Sequence, residues 1–156
     1  MKKILILLAV FILTNTIASA QKLPVRITPG ENISTAYDEI EVGDNLKFKT
    51  TQDIYYNQKL YIKKDTPVYA QVGLLSDNGW AFDHAEINFK KFVTTDVNNN
   101  TIIINDDLTI NGFELIKTKG KRPAQFFNYI GVIFRGKEID IKYSQDKPVF
   151  TIWLDK

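Results

Sequence analysis

Apolar residues at every second position recur along most of this chain, and turn-forming residues interrupt them at intervals of roughly 8–12 residues. A β-strand places successive side chains on opposite faces, so a period of two marks strands with one buried face. The turn signals include Gly43-Asp44-Asn45, Ser76-Asp77-Asn78-Gly79 and Asn111-Gly112. The chain is therefore predicted to be all-β, a small barrel or sandwich of short antiparallel strands.

One segment near the end of the chain has the helical period instead. Its apolar residues lie at positions i, i+1, i+4, i+7 and i+8, namely Phe126, Phe127, Ile130, Ile133 and Phe134. Pro123 suits a first helical turn and Gly136 suits a helix end, which predicts one short helix over about residues 123–135. The helix either plugs one end of the barrel or faces a partner. The plug is favoured because a single amphipathic helix usually buries its apolar stripe on its own domain.

The first twenty residues have the pattern of a bacterial signal peptide. Lys2 and Lys3 precede a short apolar run, and Ala18-Ser19-Ala20 fits the cleavage pattern. The run is shorter than the roughly 20 residues that span a bilayer, so cleavage after Ala20 is favoured over an uncleaved anchor. We expect an exported protein, periplasmic or extracellular, with no transmembrane helix after cleavage. A polar leader at 21–37 and a single β-rich domain at 38–156 would follow.

The charge and the cysteine count exclude several classes of function. The chain has 20 Lys and Arg against 18 Asp and Glu, and removing Lys2 and Lys3 leaves the remainder formally neutral. A nucleic-acid-binding protein normally has a net basic surface, so no nucleic-acid partner is expected. The chain has no cysteine, which excludes thiol catalysis, disulfides and cysteine metal sites. No nucleotide-binding motif is present, and no cofactor is expected.

Two stretches resemble exported β-domains of the bacterial cell envelope. They are GDNLKFKTTQDIYYNQKLYIKKDTPVYAQV, from Gly43, and GVIFRGKEIDI, from Gly131. In those domains a strand and a turn precede an apolar-x-Lys-Gly-Thr-x-Val-x-Gly-x-Val corner. This chain departs from the pattern at Asp65 and Ala70, where glycine is usual. The resemblance implies a compact β-domain at the envelope, and it carries no catalytic residue.

The sequence offers no convincing catalytic or metal-binding group. His84 is the one histidine, and alternation places Asp83 on the opposite face from His84 and Glu86. The segment from Asp96 to Asn100 begins like a calcium loop, but Thr101 stands where the loop needs glycine. A polar turn between two strands explains the same residues and is favoured. We therefore expect neither an enzyme nor a metal site.

Exposed aromatic residues are the remaining binding resource. The candidate binding surface comprises Tyr61, Lys63, Trp80, His84 and Glu86, and the candidate partner-facing helix is the one described above. The favoured function is a non-enzymatic envelope domain with a structural or protein-interaction role. The alternative is a secreted module that binds a glycan or another small ligand through surface aromatics. The sequence does not identify the partner, and an envelope protein or a glycan is the expectation.

Overall fold

The computed structural model describes residues 21–36, 40–78, 83–112 and 138–156. These residues form an all-β fold, as the alternation predicts. The predicted signal peptide and the predicted helix over 123–135 lie outside the described residues. The strands are β1 (Lys22–Pro29), β2 (Ile33–Ser34), β3 (Asn45–Thr50), β4 (Ile54–Tyr56), β5 (Lys59–Ile62), β6 (Pro67–Ser76), β7 (Glu86–Thr95), β8 (Thr101–Asn111), β9 (Asp140–Ile141) and β10 (Phe150–Asp155).

Six strands form one antiparallel sheet in the order β10-β1-β3-β6-β7-β8. The two outer strands of this order, β8 and β10, lie side by side, so the sheet is nearly closed into a barrel. At this seam the backbone N–H of Trp153 donates a 2.7 Å hydrogen bond to the Asp106 carboxylate. Two small pairs, β2 with β9 and β4 with β5, complete the described fold.

The inward-facing residues of the six strands fill the barrel. Phe48 on β3 packs edge-on against Phe89 on β7, with the ring centroids 5.5 Å apart, and also contacts Phe150. Phe89 in turn packs against Phe92 on the same strand. A break in the alternation of β7 at the exposed Lys90 and Lys91 places Phe89 and Phe92 on the same face. The core around the rings consists of buried aliphatic residues, among them Val25, Ile27, Val68, Ala70, Val72, Ile87, Ile104, Ile110 and Ile152. The interior is therefore a packed core.

The first strand lies inside the segment 21–37, which is predicted to be a polar leader. β1 alternates buried Leu23, Val25 and Ile27 with exposed residues and pairs with both β10 and β3. Pro24 pairs with β10 on one side, at a level where β3 is not yet alongside β1. A residue without a backbone N–H is tolerated at such a one-sided position. The prolines obscure the period of two, so this strand is not predicted from the sequence.

Thr50 fixes the corner between β5 and β6, which lies in the first of the two stretches that resemble envelope domains. Its buried hydroxyl donates to the carbonyl of Lys63 at 2.7 Å and accepts from the N–H of Thr66 at 3.0 Å. The backbone of Thr50 also exchanges two hydrogen bonds with the corner, at Thr66 and Asp65. Asp65 has a φ of 61°, the left-handed conformation that glycine adopts most easily. This conformation gives a physical reason for the usual glycine at that position.

The turn between β4 and β5 has two left-handed residues. Asn57 and Gln58 have φ values of 49° and 63°, as a type I′ hairpin turn requires. Asparagine tolerates this conformation, whereas glutamine has no short side chain to stabilise it. Gln58 therefore carries a local conformational cost.

Replacing Gln58 with glycine should raise the free energy of unfolding by up to about 1 kcal/mol, because glycine removes that cost. Urea denaturation followed by circular dichroism measures the change. Gln52 provides a matched control, since it is exposed and is not among the residues with positive φ. Gln52→Gly should lower the stability by roughly 0.5–1 kcal/mol. Equal effects at the two positions would contradict the assignment of the turn.

Candidate functional site

The structure does not bring the residues of the predicted binding surface together. Tyr61 lies near the end of β7, because its carbonyl accepts a hydrogen bond from the N–H of Val97, two residues beyond that strand. Glu86 begins β7, and His84 precedes it. At the rise of an extended chain, the ten residues of β7 separate these two groups by about 30 Å. Tyr61 therefore cannot share a small surface with His84 and Glu86.

β5 ends at Ile62, so Lys63 lies in the corner and strand alternation no longer sets its direction. Its carbonyl accepts hydrogen bonds from the hydroxyls of Thr50 and Thr66, while the residue itself is exposed. Trp80 lies outside the described residues. His84 and Glu86 are half-buried, and Glu86 pairs with β6 and β8.

The outer face of the barrel carries an apolar row that the sequence analysis did not identify. Tyr69 on β6 pairs with Val93 on β7, and Val93 pairs with Ile103 on β8. Tyr69 is 45% exposed and Ile103 is 54% exposed, although both lie in regular strands beside buried residues. Alternation alone indicates that Tyr69 points outward. Aligning it with the other two side chains requires the strand register.

Lysine and amide side chains lie at one end of this row and along one side of it. Lys47 on β3 pairs with Tyr69, and the neighbouring row contains Gln71, Lys91 and Asn105. We call the seven residues the Tyr69 patch: Lys47, Tyr69, Gln71, Lys91, Val93, Ile103 and Asn105. Two of the seven are basic and none is acidic. The patch thus combines an apolar centre with positive charge at its margin.

A bulge shapes the strands next to the patch. Phe89 pairs with Leu108 and Lys91 pairs with Asn105, so one residue of β7 faces two residues of β8. The single residue of β7 is Lys90, and the two residues of β8 that face it are Asp106 and Asp107. A bulge changes the direction of the side chains at its position. It is at this bulge that the Asp106 carboxylate accepts the hydrogen bond from Trp153 across the seam.

Two tyrosines of the β4–β5 hairpin hold a lysine at one end of the barrel. The Nζ atom of Lys156 lies 4.2 Å from the ring centroid of Tyr61 and 5.7 Å from that of Tyr56. The two ring centroids are 6.2 Å apart and the rings are tilted by 58°. We call the pair of Tyr56 and Tyr61 the tyrosine clamp, and Lys156 is its occupant. The aromatic faces attract the ammonium group because of their negative quadrupole.

Asp96 organises the turn between β7 and β8, next to the clamp. Its carboxylate accepts hydrogen bonds from the backbone N–H groups of Asn98 and Asn100 and from the side-chain amide of Asn100, each at 2.8 Å. These bonds, led by that from the Asn100 side chain, hold the pKa of Asp96 below its usual value, and the charge of Lys156 adds to the effect. The segment that begins like a calcium loop is thus a turn in which N–H donors occupy the Asp96 oxygens.

The stability contributed by Asp96 should depend on pH. The pKa of Asp96 is lower in the folded state than in the unfolded state, where it is about 3.9. The ionised carboxylate therefore stabilises the fold at any pH above the unfolded pKa. This contribution is lost as the pH falls through the folded pKa. Asp96→Asn should therefore reduce the free energy of unfolding more at pH 7 than at pH 3, measured by urea denaturation. Asp107→Asn is the control, since the Asp107 carboxylate accepts no hydrogen bond among the described residues. An equal loss from Asp96→Asn at both pH values would contradict this assignment.

A second lysine and tyrosine meet on the outer surface near the corner. Lys49 donates a 3.3 Å hydrogen bond to the Tyr143 hydroxyl and lies 3.5 Å from the Asp65 carboxylate. The contact with Tyr143 is the main cause that raises the pKa of Lys49, and Asp65 adds to it. The backbone N–H of Tyr143 donates to Asn32, which fixes the loop after β9 over β3. Lys49, Asp65 and Tyr143 thus connect β3, the corner after β5 and the loop after β9 on the surface.

Comparison of the chain with protein-family models, with curated proteins and with solved structures finds no match. The resemblance to exported envelope domains therefore rests on the quoted residues alone. The described residues contain no group of three or more histidine, aspartate or glutamate side chains placed to hold a metal ion. Within the same ranges there is no helix with the length and apolar character needed to cross a bilayer.

Proposed function

We propose that this chain is an exported, non-enzymatic β-barrel domain that binds a protein partner at the cell envelope through the Tyr69 patch. The observation that carries the proposal is the row of Tyr69, Val93 and Ile103, aligned across three strands, in which Tyr69 and Ile103 are exposed and Val93 is half-buried. Aromatic and aliphatic side chains grouped on a rigid surface are typical of binding sites in proteins. The barrel interior is occupied by packed side chains, so an outer surface is the better candidate for recognition.

The charge of the patch specifies the chemistry of the partner. Lys47 and Lys91 flank the apolar row, and none of the seven patch residues is acidic; the Glu31 carboxylate, which accepts a 2.6 Å hydrogen bond from the backbone N–H of Lys47, lies beside the patch. A complementary surface would place acidic residues around an apolar centre. The partner is therefore a protein with an apolar segment bordered by aspartate or glutamate.

Photo-crosslinking in living cells tests the proposal. The full chain would carry p-benzoylphenylalanine at position 69 or 103, with the same group at Tyr55 as the control. Tyr55 is 57% exposed but belongs to the β4–β5 hairpin. We expect a protease-sensitive adduct from positions 69 and 103 and none from position 55. Replacing Lys47 and Lys91 with glutamine should reduce the adduct about fivefold, as expected for two exposed ion pairs. Equal adducts from all three positions would contradict the proposal.

Glycan binding is the second candidate, because four aromatic side chains are exposed on the described surface. They are Tyr55, Tyr69, Tyr143 and Trp153. Aromatic rings can stack on the apolar faces of sugars. In the crosslinking experiment, an adduct that resists proteases and is removed by glycan-degrading enzymes would support this function instead.

Export itself can be tested on the purified protein. The N–H and carbonyl of Gln21 pair with Lys156, so a chain that begins at Gln21 retains all of β1 and its ladder with β10. We expect intact-mass analysis of the protein from the periplasm or the medium to give a chain that starts at Gln21. A cytoplasmic chain that retains Met1 would contradict export.

A further inference from the structure

We propose that the tyrosine clamp is a binding site for an external alkylammonium group, which the side chain of Lys156 occupies when no ligand is present. The site lies at one end of the barrel and shares no residue with the Tyr69 patch. Its ligand class follows from its present occupant. Two aromatic rings that hold a lysine ammonium can also hold another organic cation of similar size.

The walls of the clamp are fixed by the fold. Ile54 and Ile62 pair at the base of the β4–β5 hairpin and are buried, and both tyrosines pack partly against the core. The hydrogen bond from Val97 to the Tyr61 carbonyl attaches the hairpin to the turn after β7. The rings are therefore held in place independently of Lys156, as a preformed site requires.

The occupant, in contrast, is held weakly. Lys156 is exposed and makes no ion pair with the described residues. Its backbone is fixed by two hydrogen bonds with Gln21, at 3.0 and 3.1 Å, so the side chain can leave the rings while the strand stays in place. The carboxylate of Asp96 is near enough for its pKa to respond to the charge of Lys156, and its negative charge also favours a cation at this position.

Because Lys156 competes for the site, removing its side chain should raise the affinity of an external cation. An external ligand binds only those molecules in which the internal occupant has left the site. Its apparent affinity is therefore the intrinsic affinity multiplied by the fraction of molecules with an open site. For an exposed cation–π contact the factor is about fivefold, which corresponds to about 1 kcal/mol. Removing the lysine side chain should therefore strengthen binding of a cation by about fivefold.

A titration followed by NMR of the tyrosine ring protons tests this in the full chain and in Lys156→Ala. Nα-acetyl-lysine-N-methylamide represents a protein side chain, phosphocholine represents a lipid headgroup, and norleucine amide with an acetylated amine is the neutral control. We expect the ring signals of Tyr56 and Tyr61 to shift when a cationic probe is added and to stay unchanged with the neutral control. The affinity for the cationic probe should be about fivefold higher in Lys156→Ala than in the full chain. The cationic probe that binds more tightly identifies the source of the ligand.

Ring variants provide the second test. In the Lys156→Ala background, Tyr61→Phe keeps an aromatic face and should retain binding, while Tyr61→Leu should lose it. Tyr55→Ala is the control, because this neighbouring tyrosine is exposed and does not contact Lys156. Binding that is no tighter in Lys156→Ala, or that the neutral probe reproduces, would overturn the proposal. The Tyr69 patch has no part in this experiment, so the proposed function stands or fails separately.

Discussion

Replacing Phe48 with alanine is expected to lower the free energy of unfolding by about 3–5 kcal/mol. The Phe48 ring is fully buried and contacts both Phe89 and Phe150, from strands in different parts of the sheet. Its loss would leave a cavity that the rigid barrel cannot fill by local collapse. Domains of this size are typically stable by about 5–15 kcal/mol, so the variant would lose a large part of the total.

Urea denaturation followed by far-UV circular dichroism measures this loss. Tyr69→Ala is the matched control, because it also removes an aromatic ring from a strand of the main sheet but from the exposed face. Its effect on stability should be below about 1 kcal/mol. This control also shows that the patch can be altered without unfolding the barrel. A loss below 1 kcal/mol in Phe48→Ala would contradict the packed interior.

Thr50→Val should lower the free energy of unfolding by about 1–3 kcal/mol, although the side chain keeps its shape. The hydroxyl donates to the Lys63 carbonyl and accepts from the Thr66 N–H in a fully buried position. Valine offers neither group, and a buried polar group without its partner costs about this amount. The carbonyl of Lys63 retains the hydroxyl of Thr66 as a donor, at 2.7 Å, which limits the loss.

The control for this change is Thr101→Val. Thr101 begins β8 with its side chain exposed, and it makes no side-chain hydrogen bond among the described residues. The same chemical change should alter stability there by less than about 0.5 kcal/mol. Hydrogen exchange adds a local measurement, since the N–H groups of Asp65 and Thr66 should lose protection in Thr50→Val. Unchanged exchange at these two positions would show that Thr50 does not hold the corner.

The period of two was enough to predict the fold class and the inward residues of several strands. Val68, Ala70 and Val72 are buried as alternation requires, and the turns at Gly43 and Asn57 separate strands as their residue types indicate. The sequence does not reveal β1, because Pro24 and Pro29 obscure its alternation. Proline is compatible with a strand wherever one side of that strand is unpaired, and a single sequence does not reveal such a side.

The candidate surface could not be predicted in the same way. Its residues come from strands separated along the chain, and their contact depends on register, bulges and the closure of the sheet. The interpretation that placed Tyr61 with His84 and Glu86 relied on faces within single strands. The clamp depends on an even longer relation, since Lys156, just after β10, meets Tyr61 of β5 where the hairpin is bonded to the turn after β7.

The pairing of the first strand with the tenth has a consequence for how the chain is made. β1 is synthesised first, but its main partner from Lys22 to Ile27 is β10, which ends at Asp155. Pairing over such a sequence separation is slow, and it cannot begin until the second strand is available. In the exported protein that we propose, β1 would lack β10 until the residues up to Asp155 have been synthesised. The strand order would thus keep these strands unpaired during transport across the membrane and delay closure of the barrel until β10 has arrived on the far side.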